Sequence, residues 1–287
     1  MAKILAVGIA TLDIINTVET YPSEDTEVRA LSQRKARGGN ATNTLVVLSQ
    51  LGHQCHWAGV LIDEPDSVII QQELTHFNID SSACRVITDG KMPTSYINVS
   101  QKTGSRSIVH YRDCPEFSSA DFEKIDLTQF DWIHFEGRNI KQTELMLHYL
   151  AEHHPSMPCS LEVEKTRTGI EALFTLPSIL LFSQDYSVAH HHETAQKLLN
   201  SLPKGIIASC TWGQQGAWAI NKKQHLFHSK TYDPANVVDT LGAGDTFNAA
   251  FIDGLLNKLD LNQALTKACE LAGRKCGQQG LVNLVGK

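Results

Sequence analysis

Short apolar runs alternate with segments of helical apolar spacing through most of the 287-residue chain. That alternation predicts a central, mostly parallel sheet flanked by helices, an α/β fold. Residues 4–9, 56–60, 132–135, 160–163, 179–182 and 206–210 are the strand candidates, and most are continuously apolar, as strands covered on both faces must be. Helices are predicted over 41–51, 67–77, 142–151 and 193–202. In the first of these Ala41, Leu45, Leu48 and Leu51 share a face, with Asn40 placed to cap its start and Gly52 to end it.

Two stretches break the alternation, residues 13–37 and 91–113. Within the second, 95–99 and 105–111 read as two strands around Lys102-Thr103-Gly104. Both stretches follow main-sheet strands, so they are expected to meet as a small β-sheet projecting over one edge of the core, a lid over a cleft. No linker divides the chain, which reads as one domain over 1–287.

Composition narrows the function classes. With 42% hydrophobic and 20% charged residues and a net charge of −6, nothing recommends nucleic acid as a partner. No apolar stretch reaches the roughly 18 residues a bilayer span needs. The opening apolar run soon meets Asp13 and reads as a buried strand rather than a leader, so a cytoplasmic protein is expected. The 7 cysteines are scattered without a Cys-x-x-Cys pair, which fits reduced thiols.

The chemistry concentrates in two glycine-opened helix starts. In Gly242-Ala243-Gly244-Asp245-Thr246-Phe247, two glycines precede Phe247, Ala250, Phe251, Gly254 and Leu255 at helical spacing. Such a start presents unpaired backbone N–H groups and the positive end of the helix dipole, where a phosphoryl group can sit. Asp245 in the first turn would be placed to accept a proton from an attacking hydroxyl; taken alone, the motif reads first as a glycine turn with a capping carboxylate. In Arg37-Gly38-Gly39-Asn40-Ala41-Thr42-Asn43, two carboxamides three residues apart can bind vicinal hydroxyls, and the glycines admit a ligand to the backbone. The bland alternative is a capped helix with one surface Asn. Neither Gly-x4-Gly-Lys-Ser/Thr, a complete Gly-x-Gly-x-x-Gly, His-Arg-Asp nor Asp-Phe-Gly occurs.

Together the two motifs resemble the paired signatures of the PfkB, or ribokinase-like, carbohydrate kinase family, and within it the kinases that phosphorylate fructose on its 1-hydroxyl. Residues 21–33, 37–52, 121–139, 161–165, 237–249 and 272–277 carry the resemblance, with Phe130-Asp131-Trp132-Ile133-His134-Phe135-Glu136-Gly137-Arg138-Asn139 the most specific piece. The resemblance implies an ATP-dependent kinase of a ketohexose, with Asp245 as general base and Gly242, Ala243 and Gly244 as anion hole. Asp13, Gly38, Gly39, Asn40 and Asn43 then match positions that hold sugar hydroxyls, and Asp25 matches an acidic residue reaching from one subunit's lid into the other's sugar site. Arg106 resembles an arginine near the transferred phosphate, and adenine is expected between Trp212, Gly213 and Gly216 and the late helix near Cys276.

The resemblance further implies Mg2+, a homodimer formed through the lid, and K+ near the 237–244 loop. Many relatives carry Asn-x-x-Glu after the strand at 179–182, where this chain has Ser183-Gln184-Asp185-Tyr186. Glu162 and Glu164 are the alternative magnesium contacts, through water, although Glu-Val-Glu is also what a strand end looks like. Glu136 and Arg138 follow a main-sheet strand and are either ligand-edge residues or an ion pair. His190-His191-His192, and His53 with His56, lack a ligand cluster and read as solvated histidines. Other readings are a kinase of ribose, a 2-keto-3-deoxy sugar acid or a nucleoside, and a non-catalytic sugar- or nucleotide-binding regulator.

Overall fold

The computed structural model describes residues 1–285. Its main sheet has nine strands, in the order Leu226–Ser229, Ala217–Ile220, Ile207–Thr211, Ile179–Phe182, Cys159–Val163, Trp132–Glu136, Lys3–Val7, Gln54–Ala58 and Ile79–Asp80. All neighbours pair parallel except at one edge, where Ala217–Ile220 is antiparallel to both of its partners. The central strands Trp132–Glu136 and Cys159–Val163 are buried at every position. Strands covered on both faces gain by burying an unbroken apolar run, and this explains the sequence pattern. The parallel α/β fold expected from the sequence is thus the observed one.

The strand expected at 56–60 is displaced. It spans Gln54–Ala58, and Val60–Ile62 leaves the main sheet to pair with Arg85–Ile87 in a separate two-stranded sheet. Trp57 and Ala58 at the end of the first piece and all of Val60–Ile62 are apolar and buried, so the pattern alone does not mark the switch.

A second sheet of four strands runs Ser32–Gly38, Thr11–Val18, Lys91–Ser100, Arg106–Asp113. Thr11–Val18 pairs antiparallel with the first of these and parallel with Lys91–Ser100. The small projecting sheet therefore joins both stretches that broke the pattern. Its outer strand is exposed at all eight positions.

The helices Asn40–Gln50, Ala243–Leu256 and Leu261–Cys276 pack one against the next. Ala243–Leu256 is buried from Asp245 to Gly254, an interior helix whose polar residues all need partners. The N-cap of Asn40–Gln50 is Gly39 at φ 102°, so Asn40 does not cap but is the first helical residue. A left-handed approach to the helix suits glycine and releases the Asn40 amide for a contact across the cleft. Gly52 ends the same helix at φ +92°, as expected.

His53 and His56 are not solvated. His53 is buried with its ring 2.9 Å from Asp253 Oδ1, and its Nδ1 accepts from the Ala2 N–H. His56 lies in a strand, 3.5 Å from Asp80 and edge-on to Phe130. His190 is half-buried and stacks on Tyr186 at 4.2 Å. No group of three metal-ligating side chains occurs among the described residues, and no helix among them is long and apolar enough to cross a membrane.

Candidate active site

The strand order reverses around Lys3–Val7, whose neighbours are Trp132–Glu136 and Gln54–Ala58. Such a switch point opens a crevice at the carboxyl ends of the strands. A cleft of about 950 Å³ lies there, walled by the four-stranded sheet on one side and by the start of Ala243–Leu256 on the other.

Asp245 lines this cleft. Gly242 precedes the helix in the left-handed region, φ +78°, a conformation glycine adopts without penalty. The Ala243 N–H is taken by Thr240 O and the Thr246 N–H by Gly242 O. The N–H groups of Gly244 and Asp245 make no hydrogen bond among the described residues. Two free donors and the helix dipole thus offer the cleft a place for an anion, next to the Asp245 carboxyl.

The Asp245 side chain is held from the neighbouring helix. Asn43 Nδ2 donates to Asp245 Oδ2 at 2.7 Å, while Asn43 Oδ1 accepts from Arg37 at 2.9 Å. Because the arginine can only donate, the amide oxygen must face it and the nitrogen must face Asp245. Asp245 is only 7% exposed, and burial pushes its carboxyl up to about 7, opposed by the Asn43 hydrogen bond and reinforced by Glu164 and Glu136. A carboxyl poised there is suited to accept a proton near neutral pH.

Glu162 and Glu164 approach from the strand Cys159–Val163 and the residue after it. Glu162 Oε1 accepts from Asn248, but its Oε2 is buried without a partner. Burial, then the charges of Asp245, Glu164 and Glu136, raise the Glu162 carboxyl well above the ordinary range. Glu164 accepts from Asn40 Nδ2 at 2.9 Å. An orphaned carboxylate oxygen amid like charges fits a cation, and these side chains are the donor set suited to hold hydrated magnesium.

At the far end, Asp13 Oδ1 accepts from Thr11 at 2.7 Å. Burial raises the Asp13 carboxyl, opposed by the Thr11 and Ser95 hydroxyls and by Arg37 and Arg34. A Cβ on Gly38 would lie 2.2 Å from Asp13 Oδ2, so glycine is required there for the carboxylate to fit. Arg106, on the outer strand, places a guanidinium nitrogen 3.4 Å from Thr240 Oγ1, on the loop that leads to Gly242.

The structure therefore brings Asp13, Gly39, Asn40, Asn43, Arg106, Glu162, Glu164, Gly242, Gly244 and Asp245 to one cleft. Trp212, Gly213, Gly216 and Cys276 stand outside its lining, as do Gly38, Ala243 and Asp25. Trp212 is buried, Gly213 opens a one-turn helix, Gly216 turns the chain at φ 88°, and the Cys276 carbonyl accepts from the Val238 N–H at 2.7 Å. Asp25 is exposed, at φ 58°, in the loop between two strands of the small sheet.

Sequence reasoning missed the clamp behind the Asp239–Gly242 loop. Lys275 is fully buried; its ammonium lies 3.2 Å from Asp239 Oδ2 and donates to the Asp239 carbonyl at 2.7 Å. Burial pulls the Lys275 ammonium down, partly restored by Asp239. Burial pushes the Asp239 carboxyl up, but the Gly280 and Leu241 N–H groups and Lys275 outweigh it and hold it below the ordinary range. The signal was available, since Lys275 falls on the buried stripe Ala264, Ala268, Leu271 of its helix. Glu136 and Arg138 do form an ion pair, at 2.8 Å, and Arg138 also grips Glu116 at 2.8 Å. Glu136 Oε2 in turn accepts from the Ile9 N–H at 2.9 Å, so the pair props the chain just before Asp13.

Known proteins resemble the chain over nearly its whole length. The chain is 40% identical to ketohexokinase of Mus musculus over 99% of both proteins, and 25% identical to ribokinase of Bacillus subtilis over 98% of the chain and 96% of that protein. Its fold matches the structure of Arabidopsis thaliana ribokinase complexed with ribose and ATP, with a TM-score of 0.80 at 20% identity over 97% of this chain and 94% of that one. Adenosine kinase of Sinorhizobium meliloti superposes with a TM-score of 0.82 at 20% identity, covering 99% and 96%. The model of the pfkB family carbohydrate kinases matches residues 1–285, and the chain belongs to that family.

Proposed function

We propose that this carbohydrate kinase transfers the γ-phosphoryl group of ATP to the primary 1-hydroxyl of a ketohexose, converting fructose to fructose 1-phosphate. The observation that carries the reading is Asp245 locked by Asn43 beside the unpaired Gly244 and Asp245 N–H groups at a buried helix start. The ketohexose acceptor rests on the 40% identity with mouse ketohexokinase over the full length.

In this mechanism Asp245 orients the attacking hydroxyl and accepts its proton. The helix-start amides and Arg106 stabilise the charge that spreads over the transferred phosphoryl oxygens. Glu162 and Glu164 would hold magnesium through water, and the ion would supply the positive charge that neutralises the polyphosphate. Asp13, Gly38, Gly39, Asn40 and Asn43 hold the sugar hydroxyls. Adenine would lie against the Trp212, Gly213, Gly216 and Cys276 region, and the 237–244 loop would hold K+.

The chain acts as one kinase domain whose four-stranded sheet closes over the cleft as a lid. Tyr96, Val109 and Tyr111 expose 47%, 66% and 52% of their surface on that sheet, which supports a homodimer formed through it. Asp25 then serves the partner's sugar site. The 7 cysteines are all free, in keeping with a cytoplasmic location.

ADP release measured across ketoses, aldoses, sugar acids and nucleosides tests the acceptor. Fructose is expected to lead in kcat/KM, with the product phosphorylated on C1 by phosphorus NMR. A sugar acid or nucleoside that outpaces it by about tenfold would replace this reading.

A further inference from the structure

The inner face of the small sheet is ordered in rows. Asp13 stands opposite Ser95, and Ser95 opposite His110, across three adjacent strands. All three line the cleft. Neighbouring strands lie about 4.8 Å apart, so the row presents three polar side chains over roughly 10 Å. The next inward row is Ile15, Ile97 and Ile108, wholly apolar, and Arg106 follows on the outer strand beyond it. Arg106 reaches Thr240 near the anion-binding helix start, whereas His110 lies four residues away along the same strand. Four residues of strand span about 13 Å, so the two side chains serve opposite ends of the cleft.

Within the polar row the groups are mutually oriented. Ser95 Oγ and His110 Nδ1 lie 3.3 Å apart, and the Ser95 hydroxyl also favours the ionised Asp13 carboxylate. With Nδ1 engaged, His110 has Nε2 left for a ligand. Its partial burial against the cleft, and then the nearby Arg138, Lys165 and Arg112, hold its imidazole below the ordinary histidine range. Those three cations are themselves engaged: Arg112 and Arg138 with Glu116, Arg138 also with Glu136, and Lys165 with Glu164 at 3.4 Å. Each of the three already has a carboxylate partner, and Arg37 and Arg34, which also act on Asp13, lie 3.7 and 3.9 Å from Glu73 and Asp239.

We infer that Asp13, Ser95 and His110 form a row that reads a neutral polyhydroxy acceptor, and that His110 is a specificity-determining residue bonding a hydroxyl remote from the phosphorylated carbon. The inference rests on the sugar-kinase reading above and adds to it the end of the sugar that is read and the residue that reads it. The isoleucine row covers the carbon skeleton, where no hydrogen bond is offered.

The test crosses removal of the side chain with removal of the hydroxyl. kcat/KM is measured for the wild type, His110→Ala and His110→Gln on fructose and on its 3-, 4- and 6-deoxy analogues, with ATP-analogue binding confirming that each variant is folded. His110→Ala is expected to lose about tenfold or more on fructose, in KM rather than kcat, and His110→Gln to recover part of it. On one deoxy sugar the wild type and His110→Ala should agree within about threefold, because the bond is already absent. An equal loss on all four sugars, or no loss on fructose, overturns the inference. If the wild type prefers another neutral sugar, the fructose assignment fails, and the same cycle on that sugar's deoxy series decides the role of His110. Preference for a sugar acid or sugar phosphate overturns the neutral-acceptor inference itself.

Discussion

Asn43 donates its amide to Asp245 Oδ2 at 2.7 Å from the first turn of a different helix, and Arg37 fixes that amide's orientation through its oxygen at 2.9 Å. Two glycine-opened helices are thus locked to one another at the residue assigned as the base. The contact stabilises the charged form of Asp245, against the burial that disfavours it.

Asp245→Asn keeps the shape of the side chain and an acceptor for the Asn43 amide but cannot take a proton. The expected result is a loss in kcat of about 10²–10⁴-fold, with sugar and ATP affinities by calorimetry within about threefold of wild type. Turnover near that of the wild type would remove Asp245 from the reaction.

The same variant has a predictable effect on stability. An unfolded Asp loses its proton near 3.8, whereas Asp245 in the fold holds it up to about 7. Between these values the native state binds the extra proton, so the stability from this group is fully present below 3.8 and is lost as pH rises through about 7. Asp245→Asn, which resembles the protonated form, should therefore have a higher Tm than wild type at about pH 8, by roughly 2–4 °C per kcal/mol relieved, and a similar Tm near pH 4. Melting curves across that range provide the check.

Asn43→Ala removes the hydrogen bond that holds the Asp245 carboxyl down, so the Asp245 midpoint should rise above about 7. For a base, this moves the acidic limb of the kcat/KM profile toward higher pH, with activity lost at neutral pH and partly regained about one unit above it. A uniform drop at every pH would mean that Asn43 serves only to bind the sugar.

Both helix starts were legible in the sequence because their logic is local: glycines, a carboxylate or carboxamide, then helical periodicity. The parallel strands were legible because burial on both faces leaves an unbroken apolar run. What lay hidden depends on pairing between distant segments. Asp13, Ser95 and His110 share a row only because three strands adopt one register, and a slip of one residue would turn Ser95 to the other face. Likewise, Asn40 resembled a cap until the backbone put Gly39 in that position, and the buried stripe that includes Lys275 does not say what its ammonium meets. Only the fold supplies the carboxylate that makes each side chain intelligible, Glu164 for Asn40 and Asp239 for Lys275.

Lys275 provides the remaining prediction. Its ammonium anchors Asp239, which also accepts from the Leu241 and Gly280 N–H groups at 2.9 and 3.0 Å, so one carboxylate ties the glycine loop to two other parts of the chain. Lys275→Met fills the same space without the charge and leaves Asp239 largely uncompensated, with Arg34 only at 3.9 Å. Removing one partner of a buried pair costs about 3–5 kcal/mol, equivalent to a Tm lower by roughly 10 °C. The loop that leads to Gly242 also loses its anchor, so KM for ATP should rise and kcat fall together. Adding Asp239→Asn to Lys275→Met removes the stranded charge and should recover part of the Tm without restoring kcat, because the loop is still untethered. Full recovery of both would reduce the pair to a stability element, and no loss in Lys275→Met would show that Asp239 is held by the backbone amides alone.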